Sequence, residues 1–184
     1  AMTDPMALPA DYAPLLAEAT CLLPPAGVTG MSYAGPDAQR LLGCITESQP
    51  QSLVLVPELL RLLVAAAERG WRVPQSLQFV AVGGAPVSIE LLERAEKARL
   101  PVFEGYGLSE CASVVCLNRP NARRRGSVGR PLPHARVRIA DDGQIMVSGV
   151  TMLGYLGQPP RRADEEWATG DLGEIDANGY VYVR

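Results

Sequence analysis

Between Ser52 and Phe103 the apolar residues follow two alternating rhythms. The runs Ser52-Leu53-Val54-Leu55-Val56, Leu77 to Val82 and Pro101-Val102-Phe103 have strand length and little polar interruption. Between them lie stripes with helical spacing. After Pro57, Leu59, Leu62, Leu63 and Ala66 line one face, and Glu58, Arg61, Ala65 and Glu68 line the other. Gly70 is placed to end that helix. Ser88 can cap the next one, with Glu90 in its first turn and Leu91, Leu92 and Ala95 as its buried stripe. Upstream, Thr20-Cys21-Leu22-Leu23 reads as a short buried strand. Gly35-Pro36-Asp37 reads as the opening of a helix striped by Leu41, Leu42 and Ile45 and ended near Pro50. The pattern predicts β-α-β-α-β-α-β, with strands buried on both faces. That is an α/β fold, a parallel sheet with flanking helices. Such sheets bind ligands beyond the C-terminal ends of their strands, which directs attention to the loops after Val82 and Phe103.

The period becomes two beyond about residue 125. Ala135-Arg136-Val137-Arg138-Ile139 alternates, Asp141-Asp142-Gly143 is a turn, and Gln144-Ile145-Met146-Val147 answers it. Glu174-Ile175-Asp176, Asn178-Gly179 and Tyr180-Val181-Tyr182-Val183 read as a second hairpin. The chain therefore divides into an α/β subdomain over 1–125 and a small antiparallel β subdomain over 126–184, in the manner of a partial barrel.

Composition narrows the function. A net charge of −3 argues against a broadly basic nucleic-acid face. No apolar run reaches the ~18 residues of a membrane span, and the N-terminal residues lack a signal-peptide pattern. Cys21, Cys44, Cys111 and Cys116 have no CxxC spacing, which fits reduced cysteines in a cytoplasmic protein. With 18 Gly and 16 Pro, turns are frequent. Lys97 is the sole lysine, and its register puts it on the outer face of its helix.

Three stretches carry candidate chemistry: Gly83-Gly84-Ala85-Pro86, Gly105-Tyr106-Gly107-Leu108-Ser109-Glu110 and Ala168-Thr169-Gly170-Asp171-Leu172. Singly, each reads equally as a turn: a strand-to-helix connection, a Gly-rich loop with a solvated Glu110, and a β-turn. In this order and at these separations they resemble the adenylate-forming superfamily of acyl-CoA synthetases, luciferases and peptide-synthetase adenylation domains. Gly126-Ser127-Val128-Gly129-Arg130-Pro131 and Gly149-Val150-Thr151-Met152-Leu153-Gly154-Tyr155 are similar to two further segments of that family.

The resemblance implies roles. Gly83, Gly84, Ala85 and Pro86 line adenine and the acyl group. Gly105 and Gly107 let backbone approach a planar ligand, and Tyr106 offers its face to adenine. Ser109 gives a hydroxyl to phosphate where most members have Thr. Glu110 helps hold Mg²⁺, and Asp171 accepts from the ribose hydroxyls. The implied substrates are ATP, a small-molecule carboxylate and CoA. The fold implied is part of the N-terminal domain of an acyl-CoA synthetase-like enzyme.

Two family parts have no counterpart in these residues: the Ser/Thr/Gly-rich phosphate loop and the lysine of the mobile C-terminal domain. Lys97 does not replace that lysine, so no catalytic residue is assigned, and the segment is expected to be inactive alone. An apolar face left where the rest of the enzyme would dock is expected to favour self-association. The stretch from Gly105 onward is most similar to fatty acyl-CoA synthetases. An aryl-acid or amino-acid adenylating domain and a non-catalytic adenylate-binding or interaction module are the alternatives. His134 and the run Arg123-Arg124-Arg125 are read as solvated surface.

Overall fold

The computed structural model describes residues 17–32, 35–162 and 164–184. They belong to two units, residues 17–102 and Phe103–Arg184. In the first, a short helix α1 (Ala26–Thr29) precedes the two-residue strands β1 (Met31–Ser32) and β2 (Gly35–Pro36), which pair antiparallel. Helix α2 (Ala38–Ser48) follows, then β3 (Ser52–Leu55), α3 (Pro57–Glu68), β4 (Phe79–Val82) and α4 (Ile89–Lys97). Strands β3 and β4 are parallel, from Ser52 opposite Phe79 to Leu55 opposite Val82, as the helical crossover α3 requires.

Local chemistry sets the helix boundaries. Asp37 caps α2, its Oδ1 accepting from the backbone N–H of Gln39 and Arg40 at 3.0 and 3.2 Å. The helix thus begins after Asp37, and Gly35-Pro36 belongs to β2 rather than to the helix. Pro57 occupies the first turn of α3. The α3 terminus closes with Gly70 N–H donating to the Ala67 carbonyl and Trp71 N–H to the Ala66 carbonyl, with Gly70 at φ 101°. Ser88 caps α4 through the Leu91 N–H at 3.2 Å.

The core of this unit centres on Leu60, Leu63 and Val64 of α3, Val80 and Val82 of β4, and Leu91, Leu92 and Ala95 of α4. The α3 stripe is therefore Leu60, Leu63 and Val64, one position round from the expected face. Leu59 and Leu62 pack only at its flank. Two further expectations fail. Thr20-Cys21-Leu22-Leu23 is not a strand: Leu22 and Leu23 are 56% and 73% exposed, and Pro24-Pro25, which lack N–H donors, lead directly into α1. Strand β3 is not buried on both faces, since Val54 is 42% exposed.

Strand β5 (Val102–Leu108), in the second unit from Phe103 onward, runs through the Gly-rich stretch instead of ending at Phe103. A 3-10 turn (Ser109–Cys111) reverses the chain into β6 (Ser113–Leu117), which pairs antiparallel with β5 and with β7 (Arg130–Pro131). Antiparallel pairing thus starts at Ser113, upstream of the expected change near residue 125. The strands β8 (Ala135–Ile139), β9 (Gln144–Gly149), β10 (Trp167–Ile175) and β11 (Val181–Val183) form an antiparallel sheet ordered β11-β10-β9-β8. Both expected hairpins are present, β8–β9 and β10–β11. Its core includes Cys111, Val115, Cys116, Ile145, Val147 and Val181. No helix among the described residues is long and apolar enough to cross a membrane.

The loop between β6 and β7 is pinned from inside. Asn118, fully buried, donates through Nδ2 to the Ser127 carbonyl at 2.6 Å and accepts from the Arg124 N–H at 2.8 Å. Within the run Arg123-Arg124-Arg125, Arg124 and Arg125 are exposed as expected, while Arg123 is half-buried over the Phe103 ring; Arg124 also lies over Tyr180 and pairs with Asp176. Beneath the run, buried Glu104 accepts from the Gly126 N–H at 3.3 Å. Burial pushes the Glu104 carboxyl up to about 7, against the pull of Gly126 N–H, Arg123 and Arg125.

A carboxyl raised on folding favours the folded state most when it is protonated in both states. That contribution is complete below its ordinary value of 4.5 and lost as pH rises through about 7. The loss is about 3 kcal/mol, because each pH unit between the two values corresponds to ~1.4 kcal/mol. Urea unfolding of wild type and Glu104→Gln at pH 4.5 and 7.5 checks this. Wild type is expected to lose more stability over that interval than the variant.

Candidate functional site

The second unit brings two of the expected residues together across 65 positions of sequence. The Tyr106 hydroxyl donates to Asp171 Oδ2 at 2.6 Å, and both groups are part-buried. Asp171 owes its position to an irregularity in β10. Ala168 stands opposite Met146 and Leu172 opposite Gln144, so Thr169-Gly170-Asp171 bulges from the ladder. Thr169 braces the bulge: its hydroxyl donates to the Ile145 carbonyl at 2.8 Å and accepts from the Asp171 N–H at 3.1 Å. Gly170, at φ 84°, takes the backbone conformation the bulge needs. Ala168 to Leu172 is thus a bulged strand, not a β-turn.

Tyr106 sits on β5 at a matching irregularity. It faces Cys116, while Gly107 faces Val114, which leaves Val115 as the extra residue on β6. The two glycines beside it have a structural use. A Cβ on Gly107 would lie 1.5 Å from the Ser113 carbonyl oxygen, and one on Gly105 would lie 3.1 Å from Leu117 Cδ1. Their missing side chains therefore admit β6, a closer demand than the approach of a ligand. The Tyr106 phenol is pushed far above the usual tyrosine range, chiefly by burial and then by the Asp171 carboxylate, with the Thr169 hydroxyl offsetting part of the effect.

Ser109 and Glu110 lie on the turn that follows, where Ser109 is exposed and Glu110 half-buried. Two non-glycine residues with positive φ come next, Ala112 at 53° and Ser113 at 82°. Conformations of that kind concentrate at functional turns. Glu110 is held from two directions. Its carbonyl accepts from the Met152 N–H at 2.7 Å, and its Oε1 accepts from the Tyr155 hydroxyl at 2.8 Å. Cys111 is buried, as a small core residue, and burial first and Glu110 second push its thiol up to about 11.

No group of three or more His, Cys, Asp or Glu stands ready for a metal ion among the described residues. A divalent cation at Glu110 would therefore draw most of its ligands from phosphate oxygens and water. That set suits Mg²⁺, which takes one or two carboxylates and keeps several waters.

Gly83, Gly84, Ala85 and Pro86 lie in the first unit, in the connection from β4 to α4. Gly83 is buried; Gly84, Ala85 and Pro86 are exposed. Lys97 is exposed at the end of α4, as expected. His134 is exposed, with Nε2 2.9 Å from the Val114 carbonyl. Tyr155, Thr169 and Glu104 were given no role from sequence. Tyr155 and Thr169 lie inside segments singled out there, while nothing local marks Glu104 as buried.

Removing the carboxylate should lower the Tyr106 phenol towards the ordinary tyrosine value while burial still keeps it raised. Absorbance titration near 295 nm checks this (expected outcome: Asp171→Asn brings one additional tyrosine into titration at lower pH than in wild type).

The family described as AMP-binding enzyme matches residues 6–156. A 2-succinylbenzoate–CoA ligase of Bacillus licheniformis is 31% identical over 173 residues, covering 85% of this chain and 36% of its own length. A long-chain-fatty-acid–CoA ligase of Mycobacterium bovis is 38% identical over 106 residues, covering 55% of this chain and 18% of its own. The solved o-succinylbenzoate CoA synthetase of Bacillus subtilis, in complex with the acyl-adenylate intermediate OSB-AMP, superposes with a TM-score of 0.77 at 26% identity. It covers 97% of this chain and 38% of its own. The chain thus spans about a third of the length of the 2-succinylbenzoate–CoA ligase it matches. With residues 6–156 matched and the parallel α/β and antiparallel β parts in place, the chain belongs to the AMP-binding enzyme family.

Proposed function

We propose that the chain forms the adenylate-binding part of an ATP-dependent, AMP-forming acid–thiol ligase whose acid is an aryl carboxylate. The observation that carries this is the Tyr106–Asp171 pair, an aromatic face and a carboxylate fixed side by side. An adenosine needs such neighbours: a flat surface for the base and an acceptor for the ribose hydroxyls. Tyr106 spends its hydroxyl on Asp171 Oδ2, so Oδ1 and the remaining lone pair of Oδ2 are left to accept from ribose. The Ser109 hydroxyl donates to phosphate, and Glu110 contributes a carboxylate oxygen to Mg²⁺.

In the reaction, a carboxylate oxygen of the acid attacks the α-phosphorus of ATP. The bond from that phosphorus to the β-bridging oxygen breaks, and pyrophosphate leaves. A thiol, that of CoA, then attacks the acyl carbon and AMP departs. Bound Mg²⁺ would neutralise phosphate charge during the first step. This chain's residues bind and orient the nucleotide.

The aryl acid replaces the fatty acid favoured by sequence. Relatives named for 2-succinylbenzoate match 85% of the chain, while the fatty-acid ligase match covers 55%. The fatty-acid ligase match extends over a shorter stretch, 106 residues.

Calorimetric titration with sulfamoyl-adenosine analogues of 2-succinylbenzoate and of a long-chain fatty acid tests the reading. The aryl analogue is expected to bind more tightly. Asp171→Ala should weaken it about 10- to 100-fold, the loss of a charge-assisted hydrogen bond worth about 1.5–3 kcal/mol. Equal binding by the variant would remove the ribose role, and preference for the fatty analogue would restore the fatty acid.

A further inference from the structure

The loop from Gly149 to Trp167, between β9 and β10, contains the Gly-x(4)-Gly-Tyr segment, to which the proposed function gives no task. Its side chains are unusually open to solvent: Leu153 is 73%, Tyr155 50% and Leu156 106% exposed. Burial therefore does not explain where the Tyr155 ring sits. Its fixed contacts are the hydroxyl bond to Glu110 Oε1 at 2.8 Å and an edge-on meeting with Trp167 at 6.0 Å and 64°. Trp167 in turn carries Arg161, 4.8 Å over its ring. The Arg161 N–H donates to the Leu153 carbonyl at 2.6 Å, closing the loop on itself. A second clasp, Met152 N–H to the Glu110 carbonyl at 2.7 Å, holds the same residue by its backbone.

Glu110 is thus gripped at its main chain and at one carboxylate oxygen. Oε2 accepts no hydrogen bond from the described residues. We propose that Tyr155 is a positioning residue for Glu110: by donating to Oε1 it fixes the carboxylate plane and leaves Oε2 to a divalent cation. The inference rests on the proposed role of Glu110 towards Mg²⁺. Outer partners of this kind orient a ligating group and commonly account for a factor of about 10–100 in metal affinity. Trp167 opens β10, the strand that bulges at Asp171, so one loop ties the cation ligand to the strand bearing the ribose ligand.

The test is titration of Mn²⁺ into the chain with saturating ATP, followed by the free-Mn²⁺ electron paramagnetic resonance signal, for wild type, Tyr155→Phe and Glu110→Gln. AMP binding without metal is measured alongside. Tyr155→Phe keeps the ring against Trp167 and removes only the hydroxyl. It is expected to weaken Mn²⁺ about 10- to 100-fold and to leave metal-free AMP binding unchanged. A fall in both would mean a general disturbance of the loop and would overturn the positioning role. Unchanged Mn²⁺ affinity in Tyr155→Phe, with loss in Glu110→Gln, would overturn it too while sparing Glu110 as ligand. Mn²⁺ binding that is absent in wild type, or indifferent to Glu110→Gln, removes Glu110 from the cation and takes the inference with it. The ribose and adenine roles are judged separately by the Asp171→Ala comparison.

Discussion

The hydrogen bond from Tyr106 to Asp171 is the constraint on which the second unit's site depends. It joins β5 to the bulge of β10, and each partner lies at an irregularity of its ladder. On β10, Thr169-Gly170-Asp171 stand opposite Ile145 alone and carry the carboxylate out of the ladder, and on β5 Tyr106 is the last residue before the β5–β6 register shifts. Gly107, with the Ser113 backbone where a side chain would stand, permits the first irregularity. Thr169 and Gly170 hold the second.

Much of this was legible in the sequence as pattern and little of it as geometry. The helices after Pro57 and Ser88 and both C-terminal hairpins could be read because propensity, capping and periodicity agree there. Tyr106, Glu110 and Asp171 could be named because their motifs resemble a family. The strand nature of Gly105 to Leu108 could not, since glycines depress strand propensity and the pairing partner β6 lies beyond a tight turn. The Leu60-Leu63-Val64 face was missed for a different reason. A helix with five leucines and valines in eight positions offers two overlapping stripes, and only the tertiary partner chooses between them.

Arginine shapes the second unit more than its charge suggests. Arg124 and Arg130 both lie 4.6 Å from the centroid of the buried Tyr180 ring, Arg123 lies over Phe103, and Arg161 lies over Trp167. With aromatics at 5% of the chain, planar guanidinium groups supply contact area that more rings would otherwise provide. The ammonium of lysine would not stack in this way, which accords with a composition of sixteen arginines to one lysine. One of these arginines, Arg123, also lowers the Glu104 carboxyl, so the packing of the β6–β7 connection and the protonation of a buried carboxyl are linked.

Tyr106 and Asp171 act as one unit, and a double-mutant cycle measures their coupling. Urea unfolding free energies of wild type, Tyr106→Phe, Asp171→Asn and the double variant give their coupling. A charge-assisted hydrogen bond between part-buried groups predicts a coupling of about 1.5–3 kcal/mol. Additivity within about 0.5 kcal/mol would contradict the account, because the phenol and the carboxylate would then occupy their places independently.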